Sequence, residues 1–168
     1  MKKTYFLIPW VSFWVVLDQV TKYLISVKLE LHESLALIPG FLSFTFIYNE
    51  GGAFGFLSGQ SEVLRNLIFV LIPIFVIGLI VYLCIKAPSH QKLHIVSLGL
   101  VLAGAFGNMI DRLWLGKVRD FIDFDLSFIL GFFYHWPAFN VADSTICVGV
   151  FLLAYHMLFL DKKDSASL

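Results

Sequence analysis

The side chains of this 168-residue chain that could do chemistry are mostly carboxylates, set among apolar residues. Asp18, Asp111, Asp120, Asp123, Asp125 and Asp143 stand out, with Lys22, Arg112, Asn108 and Asn140 near them in sequence. Two carboxylates held close together cannot both ionise cheaply, so one keeps its proton. Such a pair supplies a base to activate water and an acid to polarise a carbonyl, enough to hydrolyse a peptide bond without metal or cofactor. Spacing alone leaves open which two aspartates pair.

Other chemistries find little support. No HExxH, GxSxG or Walker-type glycine loop occurs, and His32, His90, His94, His135 and His156 are scattered. His90 and His94 have i,i+4 spacing but fall in a short basic connection, so no metal site is expected. His156, alone in an apolar run, reads as a hydrogen-bonded packing residue. Cys84 and Cys147 lack CxxC spacing and read as buried thiols.

The elements that must position these carboxylates belong to a membrane. Of the residues, 59% are apolar and 14% charged, against roughly 25% charged in a soluble domain. Mean hydropathy is +0.85. Lys+Arg and Asp+Glu are both 12, so nothing suggests a nucleic-acid partner. About 20 apolar residues cross a bilayer as a helix. Stretches at about 4–27, 67–85, 93–110 and 142–160 meet that length, predicting a single integral membrane domain over 1–168 with four helices. Lys2 and Lys3 could open a cleavable signal peptide, but Asp18, Lys22 and the lack of an A-x-A-like site favour a retained helix.

Four spans put both termini on one side, and the basic residues divide evenly between the faces. The N-terminus is assigned inside. Alternation of direction then brings Asp18 and Lys22, Asn108, Asp111 and Arg112, and Asn140 and Asp143 to one membrane face. Ionisable groups at membrane depth are costly and usually face a bundle interior or cavity. On that face lie the segments 28–62 and 111–141. The first contains the alternating run Phe41–Tyr48, a strand or hairpin, followed by paired glycines after Asn49. The second carries Asp120, Asp123 and Asp125 and the aromatics Phe132, Phe133, Tyr134 and Trp136, suited to the headgroup level.

Plainer readings stand beside these. Asp18 and Lys22 at i,i+4 also make an intrahelical pair, and Asp111 could anchor a helix end. Asp123 and Asp125 read as solvated loop residues. Gly99, Ala103 and Gly107 recur as in close helix packing. Asn140 and Asp143 resist such a reading, because an N-cap accounts for one of them but not both.

Taken together, the motifs resemble the lipoprotein signal peptidase (signal peptidase II) family. The likeness runs from Asp18 to Asp143 in order: Asp18-Gln-Val-Thr-Lys22, Asn49-Glu-Gly-Gly-Ala-Phe54, Ala103-Gly-Ala-Phe-Gly-Asn-Met-Ile-Asp-Arg112, Val118-Arg-Asp-Phe-Ile122 and Phe139-Asn-Val-Ala-Asp-Ser144. The resemblance implies that Asp120 and Asp143 are the catalytic pair. It gives supporting roles to Asp18, Lys22, Asn49, Gly51, Asn108, Asp111, Arg112 and Asn140. It implies a four-helix, all-α membrane fold with a small β-cradle lying on the membrane and a short extracytoplasmic helix. The implied substrate is a diacylglyceryl-modified bacterial prolipoprotein, cut just N-terminal to the lipidated cysteine, with no cofactor. Also implied are the bacterial inner membrane, cytoplasmic termini, an active site at the outer face, a monomer among membrane lipids, and inhibition by the cyclic peptide globomycin. Gly52 and Ala103 depart from the family pattern, small residue for small. A small proton-coupled transporter or channel using the same Asp and Lys residues is the competing expectation.

Overall fold

The computed structural model describes residues 3–50, 62–132 and 134–160. Gly51 and Gly52, with the turn expected there, lie outside the described residues, as do Phe133 and Lys162–Lys163. Helix α1 is Lys3–Lys28, strand β1 Ser34–Ile38, strand β2 Leu42–Asn49 and helix α2 Glu62–Lys86. Helix α3 is Lys92–Leu115, strand β3 Val118–Phe124, helix α4 Ser127–Leu130 and helix α5 Val141–Tyr155, which runs on as a π-turn over His156–Leu160.

Among the described residues, three helices are long and apolar enough to cross a membrane: Leu67–Lys86, Lys92–Leu115 and Val141–Leu160. Helix α1 is 26 residues long, but Asp18 and Lys22 interrupt its apolar run. Large apolar side chains point outward from the helices, with Phe75 73% and Phe151 70% exposed. That is the pattern of an integral membrane protein, in which lipid covers what water would expel.

Helix α3 is the hub and packs against α1, α2 and α5. Helices in lipid associate through close contact of small residues. At Gly107 a Cβ would stand 2.5 Å from Asp18 Oδ2 and 3.1 Å from the Ala142 Cβ, so only glycine lets α1 and α5 approach α3 there. Helix α3 passes 110 and ends at Leu115, where Gly116 adopts φ 71° and returns its N–H to the Arg112 carbonyl. That left-handed residue releases the chain directly into β3.

The run Phe41–Tyr48 forms a strand as expected, within an antiparallel sheet of order β1-β2-β3. Strand β3 corrects the expectation of a loop at Asp123, while Asp125 lies just beyond the strand's end. Val118–Phe124 pairs with β2 through Asn49↔Val118, Ile47↔Asp120 and Leu42↔Phe124. Its pairing partner is remote in sequence, so a short run of mixed polarity gave no local signal. Beyond α4 the chain returns along β3: Phe139 O accepts from Phe121 N at 3.0 Å and Ile122 N at 2.7 Å. That contact sets the start of α5 beside Asp120.

Candidate active site

Three backbone devices converge at one end of the bundle. The end of β2 presents Asn49, β3 presents Asp120, and the first turn of α5 presents Asp143. Asn140 is the N-cap of α5 and, with Asp143, forms a reciprocal capping box. Asp143 N donates to Asn140 Oδ1 at 2.9 Å, and Asn140 N donates to Asp143 Oδ2 at 3.2 Å. Capping therefore uses both residues, contrary to the expectation that it would account for only one.

Each of the two also has a partner outside the box. Asn140 Nδ2 donates to Asp120 Oδ1 at 2.7 Å, and Asn108 Nδ2 donates to Asp143 Oδ1 at 2.7 Å. The Asn108 carbonyl oxygen accepts from Lys22 Nζ at 2.9 Å and from Asn140 Nδ2 at 3.1 Å. Asn49 Nδ2 donates to Asp120 Oδ2 at 2.9 Å. The Lys22 bond fixes which way the Asn108 amide faces, because an ammonium has no acceptor. Two asparagines thus tie two carboxylates from separate elements into one unit.

Burial and charge act on that unit. Asp120 is 2% exposed. Burial, with the Asp143 charge second, pushes its carboxyl up to about 7, although Asn49 and Asn140 donate to it. The Arg112 charge lies within electrostatic reach of both Asp143 and Asp120.

Behind the pair sits a cluster of two carboxylates and two cations, buried except for the partly exposed Arg119. Lys22 Nζ is 2.9 Å from Asp18 Oδ2 and 3.8 Å from Asp111 Oδ2. Asp111 accepts from Arg119 Nη2 at 2.7 Å, Nε at 3.0 Å and backbone N at 2.9 Å. Those bonds push the Arg119 guanidinium above its ordinary value and pin β3 to α3 one residue before Asp120. Gln19 bridges the cluster, donating to Asp18, Asp111 and the Gly107 carbonyl and accepting from Arg119. Asp18 Oδ1 accepts from Ala142 N at 2.8 Å, satisfying a free amide at the start of α5.

The structure therefore gathers Asp18, Lys22, Asn49, Asn108, Asp111, Asp120, Asn140 and Asp143 into one network. Arg112 stands at its edge, its guanidinium on α2, and Gly51 lies outside the described residues. Asp123 and Asp125 are turned elsewhere: Asp123 accepts from Thr45 Oγ1 and meets His135, and Asp125 accepts from Ser127 N. Gln19 and Arg119 were missed by sequence reasoning. Their only signal was adjacency to Asp18 and Asp120. Among the described residues, no group of three or more His, Cys, Asp or Glu is arranged to hold a metal ion.

This constellation can be set beside known proteins. The family model described as "Signal peptidase (SPase) II" matches residues 10–159. The chain belongs to the signal peptidase II family. It is accordingly an aspartic protease. It is 42% identical over 151 residues to the lipoprotein signal peptidase of Syntrophus aciditrophicus (strain SB), covering 90% of this chain and 91% of that one. To the lipoprotein signal peptidase of Geobacter sulfurreducens it is 43% identical over 151 residues, covering 90% of each. Among solved structures it is similar to a bacterial membrane enzyme determined by the in meso method at 1.9 Å, with TM-score 0.78, 38% identity, and 92% of this chain and 93% of that chain covered. Signal peptidase II membership and the closing of both carboxylates around Asn140 come from independent observations.

Proposed function

We propose that this signal peptidase II removes the signal peptide from diacylglyceryl-modified prolipoproteins, using Asp120 and Asp143 as its catalytic pair. The observation that carries the assignment is the amide bridge: Asn140 and Asn108 hold these two carboxylates, and neither Asp123 nor Asp125, in one hydrogen-bonded unit. Asp120 carries the shared proton, in keeping with its raised pKa, and donates it to the scissile carbonyl oxygen. Asp143, ionised, takes a proton from the attacking water. Collapse of the resulting gem-diol returns one proton to Asp120, and Asp143 passes the other to the leaving nitrogen of the lipidated cysteine.

In this reading α1 is a fourth span, both termini are cytoplasmic, and the site opens at the outer face of the bacterial inner membrane. The sheet lies on that face as a cradle, where the exposed apolar residues Leu35 and Leu37 of β1 meet lipid. The lipid chains of the substrate stay in the bilayer, so the scissile bond arrives at membrane-surface level. The protein acts as a monomer, and globomycin-type cyclic peptides compete for the same site.

The test is a gel-shift cleavage assay in detergent with one prolipoprotein, with and without diacylglycerol on its cysteine. Cleavage of the lipidated form alone, lost in Asp120→Asn and Asp143→Asn, is the expected result. Retained cleavage by a folded Asp143→Asn protein would refute the pair.

A further inference from the structure

Helix α2 contains Pro73, and the residue four positions earlier is Phe69. In an α-helix the carbonyl of residue 69 accepts from the N–H of residue 73. Proline has no N–H, and its ring crowds the carbonyl one turn back, tilting it away from the helix. Inside a membrane such a freed carbonyl must be satisfied by a neighbour. The neighbour is Arg112: its Nη1 donates to the Phe69 carbonyl at 3.0 Å, and its guanidinium lies 5.0 Å from the centre of the Phe69 ring. A helix carbonyl and a ring face are both electron-rich, so one residue of α2 grips the cation twice.

The grip has a consequence for the site. Arg112 and Phe69 line a cavity of about 170 Å³ whose wall also includes Val70, Lys117 and Asn49. Asn49 donates to Asp120, and the Arg112 charge reaches both Asp120 and Asp143. The cation that balances the pair is thus held not by the pair but by a carbonyl on another helix.

We propose that Pro73 is a positioning residue for the cleavage reaction: by withholding an N–H it leaves the Phe69 carbonyl to hold the Arg112 guanidinium beside the Asp120–Asp143 pair. Arg112 there offsets the pair's single negative charge as it passes from Asp143 to Asp120 during water attack. This rests on the assignment of the pair made above.

The experiment measures kcat, KM and thermal unfolding in detergent with the lipidated prolipoprotein. The proteins compared are wild type, Pro73→Ala, Arg112→Met, the double variant and Asp143→Asn. Pro73→Ala restores the intrahelical bond and unfolds at higher temperature, because an interior proline disfavours a helix. Its kcat nevertheless falls about tenfold, the order expected for one lost charge-assisted hydrogen bond, and its KM stays within about twofold. The double variant is no slower than Arg112→Met. Moving the proline, as Pro73→Ala with Ile74→Pro, frees the Val70 carbonyl instead and leaves kcat low. Wild-type kcat in Pro73→Ala, losses that multiply in the double variant, or recovery with the moved proline would each overturn the proposal. If Asp143→Asn is inactive while Pro73→Ala cleaves normally, this proposal alone fails. If Asp143→Asn cleaves, the catalytic pair itself is wrong.

Discussion

Asn140 is bonded to Asp120 through its Nδ2 at 2.7 Å while its Oδ1 accepts the Asp143 N–H at 2.9 Å. One amide therefore caps a helix and orients a carboxylate on a strand, and the two duties can be separated. Serine caps helices about as well as asparagine but offers no second donor at that reach. Asn140→Ser should unfold within about 1 kcal/mol of wild type and lose about 100-fold in cleavage rate. Thermal unfolding and initial rates on one preparation check both halves.

The raised pKa of Asp120 has a sign that can be tested. A carboxyl whose pKa is higher folded than unfolded favours the fold most below its unfolded value of 3.8 and loses that contribution as pH rises towards about 7. Asp120→Asn lacks the titration. Its stability relative to wild type should therefore climb between pH 4 and 7, by about 4 kcal/mol in all. Denaturant midpoints of both proteins across that range measure it, and a flat difference counts against it.

The same shift predicts the rate profile. If Asp120 donates its proton to the scissile carbonyl, kcat/KM falls on the alkaline side with a limb near 7. Initial rates from pH 5 to 9 with the lipidated substrate locate that limb.

Lys22 and Asp18 are 0% and 1% exposed, so removing one leaves the other a buried charge without its nearest counter-ion. Lys22→Met should cost about 3–5 kcal/mol. Asp18→Asn with Lys22→Met should cost less than Lys22→Met alone. A double-mutant cycle in detergent reads the difference.

Gly104 lies against α5, where a Cβ would run into the Ala142 carbonyl and meet Ile146 and Thr145 side chains at 2.6 Å. Gly104→Ala should destabilise by about 1–3 kcal/mol and displace the start of α5, so that activity falls with stability. Scanning fluorimetry and cleavage rates together test the link.

What the sequence revealed depended on the distance over which each signal acts. Asp18 and Lys22 share one helix at i,i+4 spacing, and their ion pair was readable from that alone. The alternating run that became β2 was equally local. Asp120 was not selectable by spacing, because its place is set by pairing with Ile47 and by the return of Phe139 along β3. Resemblance to a family named it where physics left a choice. Gln19 and Arg119 join α1 to β3 across the bundle, and no periodicity announces such a contact. The small-residue stripe was half legible: Gly107 faces Asp18 as well as α5, while the wall of α5 meets Gly104, a position off the stripe.

The bond between Asp18 and Lys22 also bears on how the chain is made. In the four-span reading α1 is synthesised and placed in the bilayer before α3, β3 or α5 exists. At that stage the helix can offer Lys22 only a partner of its own, and the spacing supplies one a single turn away. The Asp18–Lys22 pair enters the bilayer as a neutral unit. Asn108, Asp111 and the α5 amide arrive later and divide the two charges among them. An ion pair that looks merely structural in the finished protein is the counter-ion of its youngest form.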